Sequence, residues 1–555
     1  MRFIRTQTQW RCLPQNPHFL SKSTNACTRK RLKSSGKHLY LLCFCVRPNC
    51  CCLRQSYKFC TLSLTQYTIT NLAVEIESKV NDLFDLIQHA IITGEKLGVR
   101  FVEARYDDFS IIEIRTEKEE VKDVKTMHRV GVGVIIYYNG ATGYSFTTKL
   151  NRTAIEDTTN RAFKIAKASS ETAKIKIDPG QSEPHTQKEL KLSVKKHPKD
   201  FSIAFKKDLL LRSVKAAMEH GKNISSVTSR YGELFGQKYF TNSEGTEISW
   251  SPLVTDLRIR VVSKLGDLLA DGADGIGGSF GLELFNTDDY TPEKIGENAG
   301  KWAAEKLDAK PAPPGRHRAL CENRLVGVLA HESFGHLTES DFVMSGMSPL
   351  AEKVGQQLGS EKTTIIDEGT PDMSRFYGFW LPFDDQGIKT NKLTILDKGK
   401  LTGYLHDRNT ATLMKSDFTG NARAINYSFP PIVRMRNTYF SPGDLSLEEA
   451  MEQLDTGIYA IRTAGGQANM DGTFMFKALR GYYIEKGEKK YPLREVTLTG
   501  SILDFLKNVE GATKELFMYS SYYGGCGKDG QWPLPVGLGG PHLLVSDVQF
   551  GGEKQ

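Results

Sequence analysis

Residues 324–336 read Arg324-Leu-Val-Gly-Val-Leu-Ala-His331-Glu332-Ser-Phe-Gly-His336. The run is apolar and helix-compatible, and it ends on two imidazoles with a carboxylate beside the first. Imidazoles are ready ligands for a borderline-soft divalent metal, and an adjacent carboxylate can take a proton from a water the metal activates. The familiar zinc-helix pattern is H-E-x-x-H, whose two His lie about 40° apart around a regular helix, on one face. Here the second His comes one residue later, which would place it about 140° away. One ion can hold both only if the helix is interrupted. The spacing therefore predicts a π-bulge or a helix end at about Phe334 to Gly335, since Gly tolerates the backbone that ends a helix. Chance would place about 0.03 such patterns in a chain of this composition, so two unrelated surface His are the weaker explanation.

Outward from this stretch, 555 residues exceed what one core accommodates, and two or three domains plus appendages are expected. The net charge of +8 is misleading as a sign of nucleic-acid binding. Residues 1–74 hold twelve Lys or Arg and no acid; without them 61 basic residues face 65 acidic ones, a net of −4. The body has no basic surplus to neutralise phosphates, so no nucleic-acid partner is expected. Eight of the ten Cys also fall in the first 60 residues, leaving Cys321 and Cys526 in the body. A body that poor in Cys fits a reducing compartment, and the expected location is the cytoplasm.

The first 74 residues are basic and rich in Ser, Thr and Gln, as transit peptides are, but clustered Cys is unusual there. Leu39 to Val46 is too short for a membrane span, and its basic lead is too long for a signal peptide. The Cys lack paired C-x-x-C spacing, which argues against a zinc module. The reading favoured is an extension without a fold of its own, such as upstream sequence translated from a wrongly chosen start. No other segment has the length or apolarity of a transmembrane helix, so no membrane partner is expected.

In the body, helical spacing runs from Val74 to about Leu97, followed by strands at Val99 to Arg105, Ile111 to Glu117 and Val130 to Tyr138. Asn139-Gly140 is a strong hairpin turn, with Tyr144 to Thr148 returning and an amphipathic helix over 151–167. Residues 171–199 read as a surface connection and Phe201 to His220 as a helix, with strands from Ser225 to Val262. Gly272 to Gly281 resembles a phosphate-cradling loop, but Phe280 stands where the motif requires Gly, so a flexible loop near a strand end is expected. Pro292 to Leu307 is a helix, and Pro311 to Gly315 a stiff connector taken as the domain boundary. Beyond a long loop over 340–372, strands are expected at Thr390 to Asp397, Leu401 to Leu405 and Val433 to Phe440, with a helix at Leu445 to Leu454. The fold class expected is α+β: two domains, 75–308 and 309–555, of mixed or antiparallel sheets packed with helices.

A catalytic zinc takes three protein ligands and keeps one position open. Candidates for the third are Cys526, Glu339, Asp341, His406 and His542. A thiolate is the strongest donor among them, and Cys526 sits in an exposed-looking Gly-rich run, Gly524 to Gly530. Spacing alone gives it only a modest lead over Glu339. Cys321, in the run leading into the helix, fits a small packing residue better.

Several of these residues, in one order, resemble the TldD/PmbA family, the metallopeptidases first named as modulators of DNA gyrase. They are Gly131-Val-Gly-Val with Asn139-Gly140, His331 through Asp341, Asp384-Asp-Gln-Gly387, Pro430 through Tyr439, Gly457-Ile-Tyr459, and Cys526-Gly-Lys-Asp-Gly-Gln531. The likeness runs from about residue 79 to 552 and is to the TldD branch, because the PmbA-type branch lacks the H-E-x-x-x-H residues. It implies Zn2+ held by His331, His336 and Cys526, with Glu332 as general base. It also implies a two-domain subunit that dimerises around an inner cavity, as a homodimer or with a PmbA-type sister subunit, and cleaves small or unfolded peptides. Glu339 and Asp341 fall where they could orient a ligand His, and Arg434 and Lys528 within the shared motifs join them as substrate-binding or orienting candidates. The oxyanion donor has no assignment. An extended peptide could pair with a free strand edge at Val433 to Phe440 or in the Gly-rich C-terminal segment. The alternative reading is a non-catalytic assembly subunit or adaptor; a deformylase also uses two His and one Cys, but its size and motif order do not fit.

Overall fold

Alternating apolar residues build one long antiparallel pair, Phe101–Glu117 with Glu120–Tyr138, in place of the shorter strands expected there. Asn139 and Gly140 both take left-handed backbone angles (φ 47° and 80°), the two-residue turn that matches strand twist, and Ala141–Thr147 returns along the sheet. The computed structural model describes residues 83–551. The basic extension and the start of the first expected helix lie outside them.

The helix over residues 83–96 and the helix Arg152–Thr172 cover one face of this sheet, burying Ile87, Ile91, Val102, Val134, Ile155 and Ala162 together. Each such aliphatic side chain contributes about 1.5–3 kcal/mol when removed from water. The sheet continues through Ile224–Asn242, Leu253–Leu265 and Leu268–Gly278, covered by the helices Ile203–His220 and Pro292–Leu307.

The Gly-rich segment expected as a flexible loop is instead largely strand. A Cβ on Gly272 would lie 2.1 Å from the carbonyl oxygen of Ala299, so glycine there lets a helix seat directly on the sheet.

At Gly277, which pairs with Ser520, the sheet passes into strands of the second half of the chain and reaches fourteen strands. A second, ten-stranded sheet centres on Gly315–Cys321, antiparallel to Leu543–Phe550 and parallel to Gly457–Ile461. The architecture is α+β, with mixed sheets packed by helices. A shared core joins both sheets to the segment opened on above, through Leu325, Leu329, Phe334, Ile365, Phe440 and Val545.

The expected edges are closed only in part, since Ile432–Val433 and Cys526–Lys528 each have a single partner strand. Ile432–Val433 forms a small ribbon with Ala422–Arg423, and Asn437–Phe440 lies between Ile365–Glu368 and Gly537–Gly540. Gly537–Gly540 is in turn paired on its other side by Phe517–Ser520. Past Lys400–Leu401 the expected strand to Leu405 is not continued. Among the described residues no helix is long and apolar enough to cross a membrane.

Candidate metal centre

The Glu322 carboxylate caps the segment by accepting the Arg324 N–H, and a regular helix runs over Asn323–Val328. It lies flat on the strand Gly537–Gly540: a Cβ on Gly327 would sit 2.5 Å from the Gly539 nitrogen. From Leu329 to Gly335 the helix widens into π geometry, and the His336 N–H donates to the His331 carbonyl, five residues back. The interruption thus begins earlier than Phe334. Gly335 keeps helical angles (φ −55°), so it does not end a helix; a Cβ there would lie 2.0 Å from the Met435 sulfur, and close packing is its reason. In a π turn, residues five apart become neighbours, and the two imidazole centroids stand 5.2 Å apart.

Cys526 reaches the pair from 190 residues away, with Sγ 3.2 Å from His336 Nε2. Donor atoms of His331, His336 and Cys526 all lie within 4.8 Å of one another. Cys526 is buried rather than exposed, on the ribbon strand Cys526–Lys528 that pairs with Gln531–Leu534. Gly525, at φ 138°, turns the chain into this ribbon where a Cβ would meet the Leu534 carbonyl.

Burial alone would push the Cys526 thiol up, but His336 and His331 beside it hold it well below its ordinary range. His336 is pulled the other way: burial disfavours its charge, yet Cys526 and Glu339 raise it well above an ordinary imidazole. Both ring nitrogens of His331, 1% exposed, have no hydrogen-bond partner. A buried thiol beside two imidazoles, one of them with both ring nitrogens unpartnered, suits a divalent cation, and 3.2 Å is within the span of two zinc bonds of about 2.0–2.3 Å each.

Glu332 Oε2 lies 3.7 Å from His336 Nε2 with its side chain 39% exposed, on the solvent side of the group. Glu339 is fully buried and meets His336 Nδ1 at 2.8 Å. Lys528 donates to Glu339 (3.2 Å), to Asp341 (2.8 Å) and to the Val433 carbonyl (3.0 Å), tying the Cys-bearing ribbon to the His-bearing helix.

The other candidates fall elsewhere. His406 faces Thr410, and His542 meets the Tyr459 hydroxyl at 2.9 Å. Cys321 packs in the core, its thiol pushed up to about 12 by burial. Arg434 is buried, with one long bond to the Gln531 carbonyl, and its Nε and one terminal nitrogen have no partner.

Sequence reasoning missed how the neighbouring loop is built. Asp384 accepts from the backbone of Gln386, Ile388 and Ala422, while Asp385 accepts from Ala424. Arg423 then donates to the carbonyls of Met435 and Pro535, and Gln531 accepts from Ile425. The Asp-Asp-x-Gly spacing, which favours a side-chain-capped turn, was the available signal.

Two His and one Cys with a half-exposed carboxylate beside them form a donor set that could hold a divalent metal ion. Three stretches of the chain match models of one protein family. Residues 314–552 match the PmbA/TldA metallopeptidase C-terminal domain, 196–307 the central domain and 102–166 domain 1. A metalloprotease of Methanocaldococcus jannaschii is 34% identical over 422 residues, 76% of this chain and 90% of that protein. A zinc metalloprotease TldD homolog of Saccharolobus solfataricus is 28% identical, covering 83% of this chain and 98% of its own. In fold, the chain is similar to TldE from Thermococcus kodakarensis, with a TM-score of 0.66 at 19% identity over 84% of this chain and all of that one. The chain belongs to the PmbA/TldD metallopeptidase family.

Proposed function

We propose that this chain is a zinc-dependent peptidase, with His331, His336 and Cys526 as the metal ligands and Glu332 as the general base. The observation that carries the reading is the convergence of three donor atoms within 4.8 Å, those of His331 and Cys526 on buried residues, beside a carboxylate left half open to solvent. The M. jannaschii and S. solfataricus relatives, which are named metalloproteases, support it.

Zinc, when bound there, supplies a water acid enough to ionise near neutral pH and polarises the scissile carbonyl. Glu332 is the carboxylate that would take a proton from the attacking water and return it to the leaving amine. Glu339 receives the Nδ1 hydrogen of His336, which leaves Nε2 as the free donor. Lys528 holds Glu339 and Asp341 together, so the orientation of His336 depends on the ribbon that carries Cys526.

The ligands all fall in the proposed domain 309–555, with 75–308 as the other domain. Family membership supports small or unfolded peptides as substrates, cleaved in the cavity of a dimer with a second copy or a PmbA-type sister chain. Cys321 and Cys526 are both free, which supports the cytoplasm as the location.

The test is Glu332→Gln. Zinc content should stay that of the wild type, while cleavage of an unstructured peptide falls by about 10²–10⁴-fold. Unchanged turnover removes Glu332 from the chemistry. A zinc-loaded wild type that cleaves nothing, even with a sister chain present, gives the adaptor reading instead.

A further inference from the structure

Where the first-half sheet meets the helix that leads to His331, a cavity of about 440 Å³ opens, a size that suits an organic ligand rather than a bare ion. Five guanidinium groups line it: Arg230, Arg258, Arg260, Arg324 and Arg462. Three have carboxylates of their own. Arg258 pairs with Asp256 at 2.5 Å, Arg260 with Asp271 at 3.0 Å, and Arg462 with Asp274.

The other two have none. Arg230 has no ion pair among the described residues, and its guanidinium lies 5.9 Å from the centre of the Tyr523 ring. Arg324 is 7% exposed, yet its hydrogen bonds go to neutral acceptors, the Gly275 carbonyl (2.8 Å) and the Tyr290 hydroxyl (3.0 Å). Its plane is held over the rings of Phe517 and Tyr519. The carboxylates that act on Arg324, Asp274 and Glu322, stand beyond ion-pair distance, and a fixed guanidinium presents a fork that matches a planar carboxylate.

Arg324 also stands seven residues before His331 on the same helical segment, about 10 Å along its axis. That is about three residues of extended peptide. Leu479 and Tyr519 add apolar wall for a side chain.

We propose that this Arg-lined cavity binds the C-terminal carboxylate of a peptide, with Arg324 and Arg230 as the groups that take the charge. The proposal rests on the peptidase reading for its ligand, but its test does not require cleavage.

Zinc-loaded full-length Glu332→Gln protein is titrated calorimetrically with one uncharged-side-chain hexapeptide, as the free acid and as the C-terminal amide. The acid should bind at least about tenfold more tightly, the margin one charge-assisted pair supplies. Arg230→Gln, at an exposed position, should reduce that margin severalfold and leave the amide's affinity unchanged. Arg324→Lys, which keeps the charge and loses the fork, should reduce it too. Equal affinity of acid and amide overturns the proposal, as does a preference that survives in both variants, or binding of neither peptide. A wild type that prefers the acid but never cleaves it would keep this site and remove the peptidase reading.

Discussion

The His331–His336–Cys526 group and the charge cluster around Asp385 are both nearly free of solvent, yet their polar atoms face different things. Around Asp385 each charge looks at an opposite one. Lys238 pairs with Asp385 and lies 3.5 Å from Asp107; Arg105 lies 3.7 Å from Asp107; Arg408 lies 3.4 Å from Glu103 and 2.7 Å from Glu244. These pairs fasten the strands near residues 103–107 and 238–244 to the loop over 385–408. At the centre, a thiol and two imidazoles converge, and both ring nitrogens of the buried His331 are left without a hydrogen-bond partner. Buried polarity that neutralises itself holds a fold together, whereas buried polarity that converges unneutralised marks where something else binds.

The largest effect expected is at the His331–His336–Cys526 group. Cys526→Ser should take zinc from about one per chain to a small fraction, read by elemental analysis of dialysed protein, because the charged donor is lost. Full retention of metal would erase the distinction between the two regions. Lys238→Met should do the reverse: zinc content unchanged, but stability in urea lower by up to about 3 kcal/mol, because Asp385 and Asp107 then share Arg105 as the one cation facing both.

His406 sharpens the contrast as a buried imidazole outside both groups, its pKa lowered to about 4 by burial. Unfolded, it titrates near 6.5, so the unfolded chain takes up a proton that the folded one refuses. Stability present above pH 6.5 is then lost as pH falls toward 4, by about 3 kcal/mol at most. His406→Gln should flatten that part of the acid unfolding profile, and an unchanged profile would assign the acid sensitivity elsewhere. Smallest is Glu339→Gln, which should weaken zinc binding by about 10–100-fold in a competition titration with a chelator, through loss of the partner that orients His336. No change would leave Glu339 a mere companion of Lys528.

What could be read from sequence was what is written locally. Asn139-Gly140 names its own turn, Pro292 to Leu307 carries its own period and N-terminal proline, and the five-residue His spacing demanded a distorted helix. What could not was written across the chain. Gly272 looked like loop because its reason, the backbone at Ala299, is a helix away. The residues around Val433 looked like one strand, although Asn437–Phe440 alone enters the sheet, between two partners. Cys526 and Glu339 stayed rivals by spacing; only the fold sets one against the imidazole Nε2 and the other behind Nδ1.

The widened turn at Leu329–Gly335 has a consequence for how this segment tolerates change. Removing one residue between the histidines would restore an ordinary helix with both imidazoles still on one side. Everything downstream would then swing by one step, about 100°, carrying Glu339 off the back of His336. Variation here is therefore quantised: substitutions tune the centre by degrees, while a single deletion replaces one register with another.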